Sequence, residues 1–68
     1  MGIQERFGMR LRTLREKRGL TQVQLGEKAQ LSQEYIARLE TGTKANPSLD
    51  VLLRLAKGLG VKPGKLLK

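Results

Sequence analysis

Sixty-eight residues leave room for one small hydrophobic core, so residues 1–68 are read as a single domain that relies on regular helix packing or self-association for stability. The net charge of +8, from 14 Lys and Arg against 6 Asp and Glu, points to a polyanionic partner. With no cysteine and no histidine, the chain has no disulfide or thiolate chemistry and a zinc site would rest on carboxylates alone; its acidic residues are scattered without a paired constellation, which argues against an enzyme.

The opening segment, MGIQERFGMR, has no apolar stretch of the kind a secretory signal needs, and Arg6 stands where a myristoylation signal requires Ser or Thr. No run approaches the ~18 apolar residues of a membrane span. Together with the missing cysteines, this sets the expected location as the cytoplasm. A first helix is predicted over about Gln4–Arg18, with Phe7, Leu11 and Leu14 as its buried stripe at i, i+4, i+7. Gly8 lies inside that helix at a cost of roughly 1 kcal/mol against Ala. Arg6, Arg10, Arg12, Arg15, Lys17 and Arg18 make it the most basic segment, its charges mostly on a solvated face. Gly19 stops it, and Leu20 turns into the core.

Thr21 to Gly42, TQVQLGEKAQLSQEYIARLETG, is the stretch around which the rest is organised. Thr21 and Gln24 form a capping box that opens a second helix, about Gln22–Ala29, with Leu25 and Ala29 facing inward. The chain breaks at Gln30-Leu31, and Ser32 caps a third helix over about Gln33–Glu40. There Ile36 and Leu39 face inward, Gln33, Glu34, Tyr35 and Arg38 face outward, and Gly42 is the stop. A second helix with Gln and Arg on its outward face suits a reader of the DNA major groove. The loop TGTKANP follows. Ser48 caps a fourth helix whose inward stripe is Leu49, Leu52, Leu55, Ala56 and Leu59, with Val51 and Leu53 off the stripe and Gly60 as its end. Pro63 suits the first position of a fifth, short helix containing Leu66 and Leu67. Nothing in the chain alternates as a strand does.

The segments LRTLREKRGLTQVQL, LSQEYIARLETG and NPSLDVLLRLAKGLGV, covering about Phe7 to Leu67, resemble the phage-repressor helix-turn-helix family of the Cro/cI or XRE type. The resemblance implies an all-α, compact five-helix lambda-repressor-like domain in which helices 2 and 3 form the motif. It also marks departures. Gly26 stands where the family usually has Ala, Gln30 where it usually has Gly, and Lys62 where it usually has Ser or Thr. A small residue at 26 still permits close crossing of the motif helices. A positive φ at Gln30 would strain a non-Gly residue by about 1–2 kcal/mol.

Gln33 occupies what the resemblance implies is a base-reading position, and its amide can pair with adenine N6 and N7. Arg38, on the same outward face, can bond guanine O6 and N7 or choose a phosphate. Glu34 either accepts from cytosine N4 or repels the backbone of wrong sequences. Tyr35 contacts a thymine methyl or a phosphate, or covers the junction of helices 2 and 3. Gln22, at a helix N-terminus, suits a phosphate. In the resembling family a Gln there also braces the first residue of the recognition helix, which would pair Gln22 with Gln33. Thr21, Thr43, Lys44 and Asn46 are further phosphate candidates, which set register rather than sequence. Arg15 and Glu40 match a pair that the family uses as a partly buried, structural salt bridge.

The resulting expectation is a sequence-specific regulator of transcription, most simply a repressor, that binds double-stranded DNA. One such domain reads few base pairs, so two copies on a two-fold operator are expected. Val51, Leu53, Leu66 and Leu67 are the candidate dimer patch. No cofactor, metal or small-molecule ligand is indicated, and no membrane partner. The alternative is a protein-interaction module of the same fold that docks an acidic partner. Such a face should be rich in aromatics and Leu, whereas helix 3 presents Gln, Glu, Tyr and Arg.

Overall fold

The computed structural model describes residues 3–42 and 47–67, with side chains described from Arg6 onward. Five helices follow in order: α1 Ile3–Lys17, α2 Gln22–Ala29, α3 Gln33–Thr41, α4 Leu49–Leu59 and α5 Gly64–Leu67. Their bounds lie within a residue or so of the expected ones, the range over which helix ends fray. Side-chain caps start three of them. Thr21 accepts from the Gln24 N–H at 3.0 Å, Ser32 from Tyr35 at 3.1 Å and Ser48 from Val51 at 3.2 Å. The Gln24 side chain completes the capping box by accepting from the Thr21 N–H at 2.9 Å.

The helices close around one core. α1 lies against α3, and α2 lies against both α3 and α4; α5 bridges α1 and α4. Leu11, Leu25, Ile36 and Leu55 have no exposed surface, and Phe7, Leu39, Leu52, Leu59 and Leu66 complete the cluster with Ala29 and Ala56. Each such large side chain contributes roughly 1.5–3 kcal/mol by leaving water. No strand occurs among the described residues, and none of their helices is long and apolar enough to cross a membrane.

Three expectations are corrected. Leu49, placed on the inward stripe of α4, is 70% exposed at the first position of that helix. Val51, a candidate for an exposed patch, is half-buried and packs against the core. Leu66, another such candidate, is 1% exposed, because α5 folds back onto α1 and α4 and turns this side chain inward. Gly8 also takes on a different meaning. A β-carbon there would fall against the carbonyl oxygens of Leu39 and Glu40, so its absence lets α1 and the end of α3 touch backbone to backbone.

Candidate nucleic-acid interface

The turn between α2 and α3 decides how the third helix is presented. α2 ends at Gln30, which adopts left-handed geometry (φ 59°, ψ 45°) and donates its N–H to the Gly26 carbonyl. Leu31 N–H donates to the same oxygen at 2.8 Å, and the chain then turns sharply into the Ser32 cap. A β-carbon on Gly26 would lie 2.5 Å from the Leu31 carbonyl oxygen. Gly26 is therefore smaller than the family's usual Ala for a reason local to this turn.

Ile36 and Leu39 bury one side of α3, and the opposite side carries Gln33, Glu34 and Arg38, all exposed. Tyr35 is half-buried and packs against the core cluster. Thr21 is exposed; its cap uses the hydroxyl oxygen as an acceptor and leaves the O–H able to donate. Thr43, Lys44 and Asn46 lie outside the described residues.

The two pairings implied by family resemblance are both present, and they are joined. Gln33 Nε2 donates to Gln22 Oε1 at 2.7 Å. Gln22 Nε2 donates in turn to Glu40 Oε1 at 3.1 Å. Glu40 is held in a two-pronged ion pair by Arg15, whose Nε lies 2.7 Å from Oε2 and whose Nη2 lies 3.1 Å from Oε1. Arg15 is anchored further by Nη1 donating to the Leu20 carbonyl at 2.8 Å. The side chains of the pair are only 11% and 3% exposed. The hydrogen bond to Glu40 holds the Arg15 pKa above its ordinary value against an opposing effect of burial.

The link between Gln22 and Glu40 escaped the sequence reading. The residues are 18 positions apart, on different helices, and nothing in their spacing marks them as neighbours. The remaining described cations of the first helix, Arg6, Arg10, Arg12 and Lys17, and Arg18 just after it, are exposed, as expected of a solvated face.

Comparison with known proteins agrees with this geometry. The profile of a helix-turn-helix domain family matches residues 6–67. The immunity repressor protein of Bacillus phage phi105 is 47% identical over 55 residues, 81% of this chain and 38% of that repressor, so the chain spans well under half of this relative's length. The restriction-modification controller protein C.AhdI from Aeromonas hydrophila superposes with a TM-score of 0.89 at 38% identity, over 93% of this chain and 94% of that one. The master regulator for biofilm formation SinR, solved in complex with DNA, superposes with a TM-score of 0.87 at 29% identity, over 91% and 98%.

Proposed function

The chain belongs to the helix-turn-helix domain family of DNA-binding transcription regulators, and on that premise we propose that it is a sequence-specific repressor that binds a two-fold operator as a homodimer. The observation that carries the reading is the outward face of α3. Gln33 and Glu34 stand exposed at a capped helix start, Arg38 is exposed in the last turn of the same helix, and Gln33 is held from behind by Gln22. Gln and Arg are the side chains able to make two-point contacts with adenine and guanine in the major groove. Gln22 and Thr21 lie at the start of α2, where phosphate contacts would fix register.

Two copies are needed because one recognition helix covers only a few base pairs. Leu53 and Leu67, 47% and 68% exposed, remain as patch candidates, and Leu49 joins Leu53 one turn apart on α4.

Selection of bound duplexes from a random DNA pool at roughly 150 mM salt, where non-specific charge attraction is weakened, tests the reading. An inverted repeat with half-site centres about 10–10.5 base pairs apart is expected. Gln33→Ala and Arg38→Ala should each relax the preference at a different base pair, by about 1–3 kcal/mol. General, salt-sensitive binding with no enriched sequence would overturn it and favour a domain that docks a protein.

A further inference from the structure

We propose that Glu40, acting through Gln22, sets which way round the Gln33 amide is presented, and so fixes the order in which Gln33 offers its acceptor and its donor to adenine. The inference rests on the operator-reading function above and assigns Glu40 and Arg15 a positioning role within it.

The argument follows hydrogen-bond polarity. Glu40, the anionic partner of Arg15, only accepts hydrogen bonds. Gln22 must therefore turn its NH2 group toward Glu40, as the 3.1 Å contact from Nε2 to Oε1 shows. That choice turns the Gln22 oxygen toward Gln33, which can meet it only with an N–H, here at 2.7 Å. Gln33 is left with its oxygen and its second N–H for a base. One acceptor beside one donor matches the adenine edge, where N6 donates and N7 accepts. With Gln22 reversed, its NH2 would face Gln33, which would turn its oxygen to meet it; the second lone pair of that oxygen and an N–H would still face the base, but in exchanged places, out of register with adenine N6 and N7. Guanine, whose O6 and N7 both accept, is matched by neither order. The polarity has one source, the acceptor-only carboxylate. Arg15 holds that carboxylate by two contacts and is itself fixed to the Leu20 carbonyl, and the group that orients the chain is its most buried member, 3% exposed.

The test compares adenine and guanine at the base pair that Gln33→Ala relaxes, using the duplex selected by the unaltered protein. Three variants are measured: Glu40→Gln, which can present either end of its amide; Arg15→Met with Glu40→Met, which removes the acceptor without stranding a buried charge; and Gln22→Met, which leaves the ion pair in place. Thermal melting identifies the folded ones. The unaltered protein should prefer adenine. Each folded variant should lose at least about fivefold of that preference, the lower end of what one two-point contact supplies, while discrimination at the base pair relaxed by Arg38→Ala stays unchanged. A folded Glu40 variant that keeps the preference overturns the inference, as does Gln22→Met keeping it, or an equal loss at the Arg38 base pair, which would mark a merely structural role. If the unaltered protein selects no sequence, the operator reading itself falls; if it selects one and the preference survives the variants, only the present inference falls.

Discussion

Gln30 is the residue at which local chemistry and fold disagree most plainly. Gly19, Gly42 and Gly60 take left-handed geometry at the ends of α1, α3 and α4, and Gln30 alone among the described non-glycine residues does so, at the end of α2. A β-carbon in that conformation costs about 1–2 kcal/mol, and the surrounding bonds to the Gly26 carbonyl hold it there. Gln30→Gly removes the strain, at the smaller entropic cost of a freer unfolded chain. We expect a net gain of about 1 kcal/mol, which in a domain of this size raises Tm by about 4–8 °C. A melting curve that is unmoved or shifted downward would show that the Gln30 side chain compensates its own backbone strain.

At the scale of elements, the contact of α1 with α3 is the one that the site depends on. It brings Arg15 to Glu40, and through Gln22 it reaches the start of α3. Gly8 sits within this contact, beneath the carbonyls of Leu39 and Glu40. Two effects oppose each other in Gly8→Ala. Helix propensity favours Ala by about 1 kcal/mol, whereas overlap with rigid backbone costs typically about 1–3 kcal/mol. The overlap is with main chain, which cannot swing aside as a side chain does, so net destabilisation is expected, with a fall in Tm. A rise would mean that the two helices separate without loss. Because the same separation pulls Glu40 from Arg15, the variant should also weaken DNA binding more than its loss of stability explains.

At the scale of the whole molecule, a domain with extents of 27 × 23 × 22 Å and a charge of +8 has a single small core and a surface that attracts DNA without discrimination. On the proposed two-fold reading, specific occupancy then depends on pairing two copies. Leu49 and Leu53 form an exposed apolar step on α4, flanked by the exposed Asp50–Arg54 pair at 3.1 Å. Leu53→Glu should shift sedimentation from dimer to monomer and abolish the preference for an inverted repeat, while leaving the helical content of the domain intact. A variant that remains dimeric would move the interface elsewhere, with Leu67 as the next residue to replace.

Spacing and caps alone determined much of this protein. Helix order, the Thr21 capping box, the Ser32 and Ser48 caps and the buried line through Leu25, Ala29, Ile36 and Leu39 are local in origin, each set by residues within about one turn of one another. The outward residues Gln33, Glu34 and Arg38 were legible for the same reason, as what remains once the inward face is assigned. Family resemblance added the Arg15–Glu40 and Gln22–Gln33 pairs, which no local pattern encodes. Only the tertiary structure decided that these two pairs are one chain of hydrogen bonds, that Gly8 is a contact rather than a flaw, and that Leu66 is inside while Leu49 is outside. Those features depend on where one helix ends against another. Helical periodicity fixes the direction of a side chain about its own axis, but whether anything lies in that direction is set by the length and crossing of its neighbours.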